Sequence, residues 1–372
     1  MRDIQEQLQA ILTFGQGETF LSFANADGKR WLMPERGMRT AMLLYQPSGW
    51  KGKGLKRVLP GFYWNPWVRG VLHAERLRLS LSEELRKLLE HTLGEAGLEF
   101  AVFCGTPSAR QKITIQVSKR KRILGYCKIT QSEAIYDLFE RENKMLSALS
   151  QYGIPNIPKP LYCGQLGKVY IFVQTTYKTR QSKVVHIWTA QHEYFLNLLS
   201  QRTRRELSFK ATDFYRELVE LSDMLDLQPK DDKALFERAI SILEVHYASI
   251  KEYACFHGDF TPWNMFFEKD LLCVFDFEYA QESFPPGLDK LHYLLQVWII
   301  EKKLNSEQIF SRLEDLRGGN QIELLSVIAY LMHILAFYIK LYQGYFNPND
   351  NGYVIWTQLL NKYVKIYERQ HS

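Results

Sequence analysis

Phe256-His257-Gly258-Asp259-Phe260-Thr261-Pro262-Trp263-Asn264, followed ten residues later by Val274-Phe275-Asp276-Phe277-Glu278, is the stretch that decides how this 372-residue chain folds. A polar loop lies between two apolar runs, Tyr253 to Phe256 and Leu271 to Phe277, which read as short strands. Met265 to Phe267 and Leu271 to Phe275 are expected to form a hairpin around Glu268-Lys269-Asp270. That fold-back is expected to return Asp276 to the neighbourhood of Asn264, although 12 positions separate them.

These residue types suit one chemistry. Phosphoryl transfer needs a hydroxyl oriented, a proton accepted and the charge of the triphosphate neutralised. Mg²⁺ prefers hard oxygen ligands, commonly one or two carboxylates together with substrate phosphates. Asp259 is the expected base or orienter of the acceptor hydroxyl. Asn264 and Asp276 are the expected metal ligands. His257 is expected to brace the loop by hydrogen bonds to backbone, and Pro262 to stiffen it.

The pattern His257-Gly258-Asp259 with Asn264, then Asp276-Phe277-Glu278, resembles the aminoglycoside phosphotransferase and choline kinase superfamily, which is related in fold to protein kinases. Glu278 stands where a protein kinase has glycine, which favours the small-molecule branch. The resemblance implies further roles. Lys128, in Leu124 to Ile129, matches the lysine that contacts the nucleotide phosphates, and Glu142 the helix glutamate that pairs with it. Gln174 and Thr175 open a hinge that contacts the base through its backbone, and Asp289 matches an aspartate that braces the catalytic loop. Glu278 is a further metal or water ligand. The loop Cys104 to Arg110, with Gly105 and Ser108, takes the place of the phosphate-covering loop. It departs from the protein-kinase pattern by carrying one glycine where three stand. ATP or GTP with Mg²⁺ is implied. The resemblance covers roughly residues 98–300, and the wording of the loop also looks like phosphotransferases associated with bacterial surface-polysaccharide synthesis.

Working outward, Phe100 to Phe103, Ile113 to Val117 and Leu124 to Ile129 read as strands, Ser132 to Leu149 as a helix, and Leu161 to Cys163 and Val169 to Gln174 as two more strands. From about Gln191 the chain reads as helical, with segments at 191–202, 210–226, 231–250, 288–302, 305–317, 321–341 and 354–369. The expected fold is therefore α+β, a two-lobed protein-kinase-like fold with a small β-rich N-lobe over 96–176 and a helical C-lobe over 177–372. Residues 1–95 are expected to form an irregular N-terminal extension of unknown role, with a helix near Ser82 to Leu93.

Composition sets the remaining bounds. The chain is 46% hydrophobic and 24% charged, close to soluble globular averages, so it has material for a full core. A net charge of +6 permits an anionic ligand and does not argue for nucleic acid. The basic clusters at Lys51, Lys53, Lys56 and Arg57, at Lys119 to Arg122, and at Arg202, Arg204 and Arg205 read as solvated faces. Trp31, Trp50, Trp64 and Trp67 read as packing residues, and His192 and His292 as satisfied helix residues. The five cysteines show no metal spacing and suit a reducing compartment. No Walker A lysine, zinc spacing or Gly-x-Ser-x-Gly elbow is present. The apolar run Leu324 to Ile339 falls short of the ~20 residues of a membrane span and reads as a buried helix. A cytoplasmic location, with no transmembrane segment, is the expectation.

The function expected from all this is transfer of the γ-phosphoryl group of a nucleoside triphosphate to a hydroxyl of a small molecule. A sugar or glycan precursor is the first acceptor class, because Lys178, Arg180, Lys183, Arg202, Arg204 and Arg205 follow the hinge. An aminoglycoside- or choline-type kinase is the second reading. A nucleotide-binding pseudokinase acting as an interaction module is the third, and a protein kinase is disfavoured by Glu278 and by the lack of an Ala-Pro-Glu segment downstream.

Overall fold

The computed structural model describes residues 2–47, 49–108, 110–344 and 350–372. Ala109, inside the expected phosphate-covering loop, lies outside the described residues. The chain divides into two units. One comprises residues 1–151, 155–183 and 267–278, the other residues 152–154, 184–266 and 279–372.

The first unit is built on one eight-stranded sheet. Its strands are β1 (Leu12–Ala24), β2 (Arg30–Pro34), β3 (Glu75–Leu81), β4 (Glu99–Phe103), β5 (Ile113–Lys119), β6 (Arg122–Thr130), β7 (Pro160–Leu166) and β8 (Val169–Thr175), in the order β3-β1-β2-β4-β5-β6-β8-β7. Alternation sorts their side chains onto two faces. Phe20, Leu79, Val102, Ile115, Cys127, Ile129 and Ile171 make one core, covered by α1 (Arg2–Ile11) and α5 (Glu83–Leu93). Ser82 caps α5 by accepting from the Leu85 N–H, and Gly94 ends it in the left-handed region. On the opposite face Leu21, Phe23, Trp31, Met33 and Ala101 pack with α2 (Met38–Ala41) and the inward side of α3 (Trp50–Phe62), which the short α4 (Pro66–Val71) follows. Helix α6 (Glu133–Gln151) buries Ile135, Phe139, Glu142, Leu146 and Leu149, spaced at three and four residues as one helical face requires.

The second unit is helical around α12 (Leu324–Leu341), which packs with four others: α8 (Asp213–Ser222), α9 (Lys230–Tyr247), α10 (Leu288–Gln296) and α13 (Asn351–His371). The helices α7 (Ala190–Thr203) and α11 (Ser306–Gly318) complete it, with a small sheet of β9 (Arg205–Glu206), β10 (Glu252–Phe256) and β13 (Gln281–Phe284) in the order β13-β10-β9. A two-stranded sheet, β11 (Met265–Glu268) with β12 (Leu271–Val274), lies where the chain passes from the second unit back to the first. Among the described residues α12 is the one helix long and apolar enough to cross a membrane. Eleven of its residues are buried against the unit, including His333, whose ring pairs with Glu217 at 2.7 Å.

A β-sheet unit and a helical unit are what the α+β, protein-kinase-like expectation called for. The boundaries differ. Residues 1–95 were expected to stand apart as an irregular extension, yet β1, β2 and β3 belong to the same sheet as β4 to β8, with Trp31 opposite Phe103 and Leu32 opposite Val102. These strands hid from pattern reading because β1 is interrupted by Gly15 and Gly17 and shifts register between Phe14 and Glu18, while β2 ends in Pro34. The tryptophans divide as well: Trp31 is buried and stacks on Phe103, whereas Trp50, Trp64 and Trp67 are exposed.

Candidate functional site

The site residues expected from the sequence fall into two sets, one in each unit. In the second unit the turn after β10 carries the first. Gly258 has φ +82°, and a Cβ there would stand 2.5 Å from the carbonyl oxygen of Tyr279, so glycine is the residue that fits. Asp289, in the first turn of α10, reaches back to this turn: Oδ2 accepts from the His257 N–H (2.9 Å) and Oδ1 from the Gly258 N–H (3.2 Å). Burial pushes its carboxyl up to about 7, overriding the two backbone donors that favour the charged form. His257 is fully buried, and its Nδ1 accepts from the Asp259 N–H at 3.2 Å.

Asp259 is held at both oxygens. Asn264 donates through Nδ2 to Oδ2 (2.7 Å) and to the Asp259 carbonyl (3.0 Å). With the nitrogen so used, the amide oxygen of Asn264 is the atom left for a cation. On the other side Nε2 of His292 lies 3.3 Å from Oδ1. The Asp259 side chain keeps about 30% of its exposure. His292 was read from the sequence as a satisfied helix residue; the structure puts it against Asp259. Its spacing of three from Asp289, which sets both on one face of α10, was the available signal.

The second set lies in the first unit. Lys128 on β6 is buried, with Nζ 2.5 Å from Glu142 Oε2 and 2.5 Å from Asp276 Oδ1. Burial alone would lower its pKa, but Asp276, Glu142 and Glu278 outweigh that and raise it above the ordinary lysine value. Burial pushes the Glu142 carboxyl up to about 7 against the pull of Lys128. Its Oε1 has no hydrogen-bond partner among the described residues. Glu278 pairs with Lys112, a residue the sequence reading missed. Strand alternation carries Lys112 on the same face as Thr114, whose cross-strand partner is Lys128, and this was the signal. Glu142, Asp276 and Glu278 each offer one oxygen within 4.8 Å of the others. Asp276 has φ +69°, a left-handed backbone uncommon outside glycine and frequent at functional sites.

The remaining expectations concern the nucleotide. Gly105, φ +77°, lets the turn after β4 close: a Cβ there would stand 2.3 Å from the Lys112 carbonyl oxygen. Ser108 Oγ accepts from the Arg110 N–H at 3.2 Å and is exposed. In the expected hinge, Gln174 to Tyr177, the Thr175 backbone donor is already used. Its N–H donates to the Lys159 carbonyl (2.9 Å) and its Oγ1 accepts from the Lys159 N–H (2.8 Å), because β7 pairs along this edge. Gln174 instead turns its side chain to the Lys128 face, in a cross-strand row with Tyr126 and Gln116. All three have a buried side-chain oxygen without a partner among the described residues. Buried polar atoms of this kind call for water or a ligand.

The basic residues beyond the hinge are partly spent within the fold. Arg204 pairs with Glu252, and Arg205 with Glu282 at 2.7 Å, so these two do not argue for an anionic acceptor. Near the turn that carries Asp259, Phe260 joins Trp188, His192 and Tyr293 in one aromatic cluster, with Lys290 over the Trp188 ring at 5.7 Å. His192 is a helix-capping partner of Thr189, as a satisfied histidine should be.

Residues 127–285 match the phosphotransferase enzyme family, a span that contains Lys128, Glu142, the turn at Asp259 and Asp276. No curated protein matches by sequence. Among solved structures the chain is similar to a thermostable mutant of aminoglycoside phosphotransferase APH(4)-Ia in ternary complex with AMP-PNP and hygromycin B, at 11% identity and TM-score 0.50, covering 76% of this chain and 98% of that one. It is also similar to the choline kinase LicA from Streptococcus pneumoniae, at 14% identity and TM-score 0.48, covering 76% and 98%. The likeness to the first is one of fold.

Proposed function

We propose that this chain transfers the γ-phosphoryl group of ATP, or of GTP, to a hydroxyl of a small molecule. The observation that carries the reading is the buried Lys128, held between the carboxylates of Glu142 and Asp276. A lysine fixed in this way is a preformed contact for nucleotide phosphates, its orientation set before substrate arrives. The second support is Asp259, partly exposed and oriented at both oxygens, in a turn pinned by Asp289. Asp259 accepts the proton of the acceptor hydroxyl, or orients it, as phosphate transfer proceeds. His257 positions the backbone of Asp259 and does not touch substrate.

The donor set suits Mg²⁺. In the first unit Asp276 and Glu278 offer hard carboxylate oxygens close to one another, and Glu142 adds a third. When bound, the ion neutralises charge on the phosphates. The unpartnered Glu142 Oε1 fits the same preference for a cation or water nearby. Gln174 takes the base contact through its side chain, while Gly105 and Ser108 supply backbone and hydroxyl donors above the phosphates.

The acceptor proposed is a sugar or glycan precursor. Its support is the half-buried ring of Trp188, packed edge-on against the buried Phe260 that follows Asp259 in sequence, an aromatic edge beside which a sugar ring can lie. The test is Mg²⁺-dependent consumption of ATP and GTP against a panel of sugars, glycan precursors, aminoglycosides and choline. Acceptor-dependent turnover is expected from a sugar. Nucleotide binding with no acceptor-dependent turnover would overturn the enzyme reading in favour of a binding module.

A further inference from the structure

The outward side of α3 and α4 is unlike any other surface of the first unit. Its inward side buries Leu59 and half-buries Leu55 in the core with Trp31 and Tyr45. Turned the other way are Trp50, Trp64 and Trp67, 79%, 63% and 84% exposed, with Val58, Phe62 and Val71 also exposed. Along α3, Trp50, Gly54, Val58 and Gly61 share one side, at spacings of three and four, with Lys51, Lys53 and Arg57 flanking them in solvent. The Trp64 ring is held for this exposure by its indole N–H, which donates to the Gly61 carbonyl at 3.0 Å, and the backbone N–H of Trp67 donates to Asn65 Oδ1 at 2.8 Å at the start of α4. Lys51 lies over the Trp50 ring.

The charge carried by this segment has one sign. Between Glu35 and Glu75 the sequence holds seven Lys and Arg and no Asp or Glu. Exposed apolar patches mark interaction surfaces, and the occupant here must be anionic. A second copy of the chain would bring two cationic faces together. Nucleic acid would satisfy the cations but gains nothing from Val58, Phe62 and Val71. A bilayer surface rewards every part: tryptophans settle at the headgroup boundary, aliphatic side chains enter the acyl region, and Lys and Arg meet anionic headgroups. We infer that the α3–α4 face docks this protein on membranes containing anionic lipid. The inference stands apart from the proposed catalysis and survives its failure.

The test uses the full chain and vesicles of phosphatidylcholine with or without phosphatidylglycerol. Cosedimentation with the phosphatidylglycerol vesicles is expected, weakened by salt, with a blue shift of tryptophan emission. Lys51→Gln, Lys53→Gln and Arg57→Gln together should weaken partitioning by about a hundredfold, at about fivefold per cation. Trp64→Ala with Trp67→Ala should weaken it at least about tenfold and remove the blue shift. Both variants replace exposed side chains, so thermal unfolding should match the wild type. Absence of wild-type cosedimentation would overturn the proposal, as would variants that bind like the wild type. A dimer dissolved by the tryptophan changes, or retention on DNA without vesicle binding, would overturn it in favour of another occupant.

Discussion

The imidazole of His292 faces the carboxylate of Asp259 with 3.3 Å between Nε2 and Oδ1, and its other ring nitrogen lies 3.4 Å from the hydroxyl of Tyr330. With Asn264 on the opposite oxygen, the carboxylate has no rotational freedom to lose when substrate binds. Position is therefore what this arrangement gives Asp259.

Asp259→Asn should lower turnover by about 10²- to 10⁴-fold, the usual weight of a positioned base. Because the side chain is partly exposed, the melting temperature should shift little. Steady-state kinetics beside thermal unfolding decide the matter, and unimpaired turnover would refute the assigned role.

His292→Ala should cut turnover by about tenfold or more, with the smaller share of the effect in KM, since a neighbour that orients Asp259 acts on the reacting geometry. His292→Gln should recover part of the loss, because its amide can donate to the same oxygen. Equal kinetics for alanine and glutamine variants would show that the histidine acts by packing alone.

Lys128→Met should destabilise the fold by about 3–5 kcal/mol, the cost of leaving a buried carboxylate without its partner. Adding Glu142→Gln should restore a large part of that stability while leaving activity abolished. Urea unfolding of the single and double variants measures both terms. A single variant as stable as the wild type would mean that Glu142 is already satisfied elsewhere.

Asp289 gives a pH signature. Its carboxyl titrates at about 7 in the folded chain, mainly through burial, against ~3.9 for an unfolded aspartate. The unfolded chain thus sheds this proton first as pH rises. The contribution is complete below about pH 4, declines between about 4 and 7, and is flat above. The stability of the wild type relative to Asp289→Asn should therefore fall across that window, by at most about 4 kcal/mol. Urea titrations of both proteins over the range would reject the assignment if their difference stayed constant or grew.

Local chemistry made the turn at Asp259 legible: His257, Asp259 and Asn264 stand within eight residues, and Asp289 opens the next helix. The strands β4 to β8 were legible too, since β-branched runs alternate cleanly. What could not be read depends on contacts distant in sequence. Lys112 meets Glu278 across 166 positions, and no local pattern announces such a pair. The pairing of Thr175 with Lys159 was not legible because β7 meets β8 only once the sheet forms. The three outer tryptophans read as packing residues because bulk and aromaticity usually mean burial, whereas they stand exposed and Leu59 is what α3 buries.

The pairing of β2 with β4 has a consequence for how this chain can be cut. Trimming residues 1–95 would strip β4 of its neighbour and leave a bare strand margin, with the amide of Cys104 deprived of the Arg30 carbonyl. Unclaimed margins recruit other chains. A shortened form reduced to the kinase-like segment should therefore come out of expression as insoluble material, and the leading quarter of the sequence is inherited with the rest as one folding inheritance.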